Sequence, residues 1–213
     1  MAARPPKTHT APDGRRMVHP TTRAQWRAWL GAHADDTEGV WLVSWKKATG
    51  KPFVSYDEVV EEALCAGWVD SKPATLDAER AMLWIAPRRA RSSWSRPNKE
   101  RVARLEAAGL MLPRGLAVVE AAKRSGTWAA LDEVENLTEP DDLRSALDSD
   151  PGARASWDAF PRSAKRGILE WISSAKRPET RSARIATTVS EAHAGRRANQ
   201  WNGRQGGVDQ PTA

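Results

Sequence analysis

The sequence predicts an α+β protein, in which a small N-terminal domain with a short, mainly antiparallel sheet precedes a helical C-terminal module. Three observations predict it. Between residues 21 and 110 the patterns run helix, strand, helix, strand, strand, helix, an order that suits helices packed on an antiparallel sheet. Beyond residue 110 the apolar positions keep helical spacing. Pro113, Pro140, Pro151, Pro161 and Pro178 stand where first turns begin, a place where the missing proline N–H breaks no helical bond.

Taken in order, Thr21 or Thr22 caps a first helix whose Trp26, Trp29, Leu30 and His33 follow helical spacing. Val40 to Trp45 reads as a strand, and Gly50 with Pro52 marks the turn after it. Ser55 and Glu58 form a capping box ahead of Val59, Val60, Ala63 and Leu64. Gly67 closes that helix at the position where a left-handed residue is wanted. Trp68–Ser71 and Arg80–Ala86 are the next strands, separated by a turn holding Pro73 and Asp77. An irregular basic loop from Pro87 to Arg96 leads into a helix from Pro97 to Gly109. In the second half Ile168, Leu169 and Ile172 make one apolar stripe, and Ile185, Val189 and Ala192 another. The expected organisation is an α+β domain over 21–110 and a helical module over 111–201. Residues 1–20, rich in proline and basic residues, and residues 202–213 read as disordered tails.

Composition bounds the function. The net charge of +6 invites acidic or phosphate-bearing partners and equally serves solubility. Eleven Trp stand against one Tyr and two Phe, so the core is expected to be anchored by indole rings, with one or two left over to stack on a ligand. Cys65 is the lone cysteine, set in an apolar run, and reads as a small buried hydrophobe in a reducing compartment. With no signal peptide or membrane span in view, a cytoplasmic location is expected and membrane insertion is not. The chain lacks a phosphate-binding glycine loop, paired cysteines and a zinc-protease helix. His9, His19, His33 and His193 are scattered, so neither a metal centre nor a serine triad is expected. No cofactor is expected either.

Three constellations could carry chemistry. In the loop before the helix at Pro97, Arg88, Arg89, Ser92, Trp94, Ser95 and Asn98 gather forked donors, hydroxyls and one ring beside a helix N-terminus. That combination suits an oxyanion; alternatively Ser95 only caps the helix and the arginines are scaffold. Asp70 sits in a strand suited to burial and needs partners there. It either orients Arg88 or Arg89 as an internal ion pair or serves as a general base. Lys176, Thr180, Arg181 and Arg184 form a basic face at the start of the last helix, either solvated or a second wall of the same anionic pocket. The acidic stretch from Asp132 to Asp150 is expected to face water or to meet this basic segment weakly.

These residues also carry a family resemblance. Ala63-Leu64-Cys65-Ala66-Gly67-Trp68-Val69-Asp70, then Pro87-Arg88-Arg89 with Ser92, Trp94-Ser95 and Asn98, resemble the YdeI/OmpD-associated, or bacteriocin-protection, family. Ala108-Gly109-Leu110-Met111, Gly115-Leu116, Trp171-Ile172, Ala175-Lys176-Arg177 and Glu179-Thr180-Arg181 to Arg184-Ile185 extend the likeness over about residues 20–200. Ser71 and Lys72 depart from it, where glycine and a polar residue are expected. The resemblance implies a role in bacterial tolerance of envelope-directed peptides and related stress, with no defined reaction. It also implies a front part similar to small α+β domains proposed as iron chaperones.

The leading expectation is a protein that binds an anionic small molecule and is non-catalytic or nearly so. Three alternatives stand beside it. One is an enzyme with Asp70 as base acting on a phosphorylated or carboxylated substrate, and another is nucleic-acid binding through the basic stretches, which is not favoured because no recognition motif is present. The third is iron delivery through the acidic stretch.

Overall fold

The computed structural model describes residues 3–199, which form two compact units dividing after Ala130. The first unit is built on a five-stranded sheet. Its strands are β1 (Thr8–Thr10), β2 (Arg16–Val18), β3 (Val40–Trp45), β4 (Trp68–Thr75) and β5 (Arg80–Pro87), in the spatial order β1-β2-β3-β5-β4. All pairings are antiparallel except β2 with β3. The register sets Val40 opposite Ile85 and Leu42 opposite Leu83 on one face, and Trp41 opposite Trp84 on the other. Helix α1 (Arg23–Ala32) and helix α2 (Tyr56–Cys65) cover the first face. There Trp26, Trp29, Leu30, Val59 and Ala63 close a core with Val40, Leu42, Trp68 and Ile85.

The local signals explain these helices. Thr22 accepts the Gln25 N–H, and the Ser55–Glu58 capping box closes in both directions. Gly67 turns the chain at φ 78°. Glu62, only 3% exposed, ties α2 to α1 by accepting Arg23 Nε at 2.6 Å and Arg27 Nη1 at 2.7 Å.

Two expectations about this unit are corrected. Residues 8–18 do not belong to a disordered tail: β1 and β2 extend the sheet, with Val18 fully buried. Trp29 Nε1 donates to Thr8 Oγ1 at 3.1 Å and Trp41 Nε1 to Asp13 Oδ2 at 2.9 Å. Three-residue strands carry too little alternation to read from sequence, so tertiary hydrogen bonds to two tryptophans decide the matter. The first unit also continues past residue 110. Helix α3 (Arg96–Ala107) is followed by helix α4 (Pro113–Ser125), and Val119 and Ala122 of α4 join Trp94, Val60, Leu64, Cys65, Val102 and Leu105 in a second core.

The second unit is helical, with α5 (Asp132–Asn136), α6 (Asp141–Asp148), α7 (Pro151–Ala159), α8 (Arg162–Ser173) and α9 (Pro178–His193). Pro151 and Pro178 open α7 and α9, while Pro140 and Pro161 stand one residue before α6 and α8. Leu143, Leu147, Trp157, Ile168, Leu169, Ile172 and Ile185 make its core. Around it the acidic and basic segments pair directly. Arg154 meets Glu139, Arg166 meets Glu135, and Arg181 grips Asp142 at 2.6 and 2.9 Å. The tail expected over 202–213 lies outside the described residues.

Candidate functional site

The basic loop that follows β5 is anchored where α2 ends. Arg88 donates its backbone N–H to the Gly67 carbonyl at 3.0 Å. Helix α4 arrives at the same spot because Gly115 lets it: a Cβ there would lie 2.1 Å from the Cys65 carbonyl oxygen. The Leu112 N–H seals this approach with a 3.0 Å hydrogen bond to that oxygen. The first turn of α4 thus carries Arg114 to the mouth of the loop.

The result is a cavity of about 220 Å3 lined by Arg88, Arg89, Arg114, Trp94 and the small apolar side chains of α4. The Arg88 guanidinium lies 3.6 Å from the Trp94 ring centre and donates through Nη2 to the Ser93 carbonyl. Its Nε and Nη1 are buried and have no hydrogen-bond partner among the described residues, and neither has the buried Nε of Arg114. Burial pushes the Arg88 guanidinium down to about 10, against the pull of the Asp70 charge. It therefore remains a cation at neutral pH. Arg114 Nη1 is 3.7 Å from the fully exposed Asp35, a contact of little strength in water. Buried donors without acceptors are costly, and those of arginine match an oxyanion in pairs. The arrangement suits an anion: three arginines face a cavity whose other described lining residues are apolar.

The predicted residues divide accordingly. Arg88, Arg89 and Trp94 meet at this cavity. Trp94 is 1% exposed and packs at 4.9 Å from Trp128, so its ring is a wall behind Arg88 and a core residue at once. Ser92, Ser95 and Asn98 are not among the lining residues. Ser95 stands at the start of α3 without a capping bond from its side chain, and Asn98 Oδ1 accepts weakly from Arg101 at 3.5 Å. Asp70 acts on Arg88 through its charge alone; its Oδ2 accepts the Tyr56 hydroxyl at 2.8 Å.

The residues of the last helix belong to the second unit. Arg181 is held by Asp142, and Arg184 donates to the Trp171 carbonyl and to Ser174 Oγ. Lys176 and Thr180 are exposed. Among the described residues no group of three metal-ligating side chains comes together; Glu135, Glu139 and Asp142 of the acidic stretch are in ion pairs, and Asp150 caps α7 and hydrogen-bonds His193. No helix among them is long and apolar enough to cross a membrane.

Sequence reasoning missed Arg114. The signal was present in Pro113-Arg114-Gly115: a glycine early in a helix marks close backbone approach, and its neighbour is delivered to that contact.

Residues 136–195 match the family model described as bacteriocin-protection, YdeI or OmpD-associated. Residues 18–118 match a different model, a domain of unknown function (DUF8412). The family likeness expected over most of the chain is thus matched over the helical unit. Neither the curated proteins nor the solved structures give a match.

Proposed function

We propose that this protein, whose helical unit matches the bacteriocin-protection, YdeI or OmpD-associated family, is a cytoplasmic binding protein for a small oxyanion that serves bacterial tolerance of antimicrobial peptides or related stress. The observation that carries the reading is the set of buried guanidinium donors of Arg88 and Arg114 that lack an acceptor among the described residues. A site of about 220 Å3 suits a single phosphate, sulfate or carboxylate group on a small body; larger ligands use larger pockets. Binding is favoured over catalysis because Asp70, the candidate base, engages Tyr56 instead of the arginine cavity.

Nucleic-acid binding is the second reading. Arg89 also lines a polar cleft of about 640 Å3 on the sheet face away from α1 and α2, with Arg15, Arg16, Lys72 and Trp84. Phosphate contacts and a stacking ring are what a single strand requires.

Calorimetric titration of the full chain with phosphate, sulfate, acetate and a 20-nucleotide oligothymidine separates the two. The proposal expects saturable binding of a small anion, weakened at least about tenfold in Arg88→Met and in Arg114→Met. Methionine keeps much of the arginine stem's packing on its neighbours. Binding of the oligonucleotide alone, with a steep salt dependence, would move the assignment to the cleft. No binding of any small anion would overturn the proposal.

A further inference from the structure

Asp70 stands in a cavity that the arginine site leaves unused. The cavity measures about 410 Å3 and is lined by the helix-facing side of β3, β4 and β5 and by the segment entering α2. Leu42, Val54, Val59 and Leu83 form its apolar walls, and Trp45, Phe53 and Tyr56 its aromatic rim. Phe53 and Tyr56 are 39% and 57% exposed. This volume lies in the range of small-molecule sites.

Among the described residues, Asp70 is the one charged residue in that lining. Its carboxylate is half-buried and takes a single neutral donor, the Tyr56 hydroxyl, on Oδ2. The two cations that lie over the Trp45 ring are already in ion pairs. Lys51 and Arg80 lie over the Trp45 ring, at 4.0 and 5.6 Å, and pair with Glu79 at 2.9 Å and Asp77 at 2.6 Å. An ionised carboxylate can only accept, and at an apolar wall it holds a charged donor more firmly than a neutral one. Aromatic faces at the mouth favour the same charge.

We propose that this cavity binds a small apolar primary amine, its ring or alkyl body against Leu42, Leu83 and Phe53 and its ammonium donating to Asp70. The site shares no lining residue with the arginine cavity, though the Asp70 charge also acts on Arg88, and it gives the first unit two pockets of opposite charge preference.

The test is calorimetric titration of the full chain with three ligands of one shape: tryptamine, tryptophol and indole-3-acetate. Tryptamine is expected to bind at least about tenfold more tightly than tryptophol, and indole-3-acetate most weakly. Asp70→Asn, which keeps an acceptor for Tyr56, should bring tryptamine to the tryptophol level and leave tryptophol unchanged. Phe53→Ala, at the exposed rim, should weaken both alike, with thermal unfolding confirming that each variant folds. Equal binding of tryptamine and tryptophol to the unaltered protein would overturn the proposal. So would an amine preference that survives in Asp70→Asn, or no binding of either ligand.

Discussion

Replacing Gly115 by alanine sets two effects of opposite sign against each other. Inside a helix alanine is preferred to glycine by up to about 1 kcal/mol, so helix propensity alone predicts a more stable protein. Packing predicts the reverse. The new Cβ would sit 2.1 Å from the Cys65 carbonyl oxygen and 3.0 Å from that of Leu64, both backbone atoms that cannot swing aside. An ordinary C···O contact is about 3.3 Å or longer, so α4 must retreat by roughly 1 Å. That retreat stretches the Leu112 N–H to Cys65 bond, worth about 0.5–1.5 kcal/mol, and adds the roughly 1–3 kcal/mol typical of an overfilled contact. After the propensity gain the net loss is about 2 kcal/mol, or a fall of about 1 M in the urea midpoint for a slope near 2 kcal/mol/M.

Gly167, inside α8, is the control, because a Cβ there meets nothing within 4 Å. Gly167→Ala should therefore stabilise its unit by about 0.5–1 kcal/mol. The two variants are to be compared by urea unfolding followed by circular dichroism and tryptophan fluorescence, with phosphate titration alongside. Gly115→Ala should also weaken phosphate binding, since Arg114 retreats with its helix. Stabilisation by Gly115→Ala equal to that of Gly167→Ala would refute the close approach of α4, and with it the placement of Arg114.

Two further outcomes follow from ion pairs. In the helical unit, hydrogen bonding to Arg154 holds Glu139 below its ordinary value of 4.5, and Arg181 likewise lowers Asp142 below 3.8. A carboxylate depressed by folding contributes stability above its unfolded pKa and loses it as pH falls through the folded one. The melting temperature of this unit should hold down to about pH 4.5 and drop below it, and Glu139→Gln should flatten that drop while lowering the plateau; an unchanged acid slope in the variant would exclude Glu139 as its source. In the first unit, Glu62→Ala should cost about 2 kcal/mol by leaving Arg23 and Arg27 without their shared acceptor, less than a fully buried pair because both arginines are about one-third exposed. A double-mutant cycle with Arg27→Met measures the coupling, and a coupling near zero would mean that Glu62 contributes through packing alone.

Much of the architecture is local chemistry and could be read from the chain. The Ser55–Glu58 capping box, Gly67 at a helix end, the prolines at helix starts and the apolar stripes of α8 and α9 each act within a few residues, where helical and strand spacing leave a periodic mark. The loop from Arg88 to Trp94 also stood out through residue type, since clustered guanidiniums beside a ring suit an anion. Residue type could not say which of these groups already had partners. Arg181 and Arg184 look as free in sequence as Arg88, yet Asp142 and the Trp171 carbonyl, far along the chain, occupy them. Nor could it foresee that α4 packs with the sheet unit, that Gly115 brings Arg114 to the cavity of Arg88, or that Asp70 accepts the Tyr56 hydroxyl in the lining of a second cavity. Those facts depend on backbones from distant segments meeting at van der Waals distance, and only the tertiary structure decides which donors that meeting leaves unpaired.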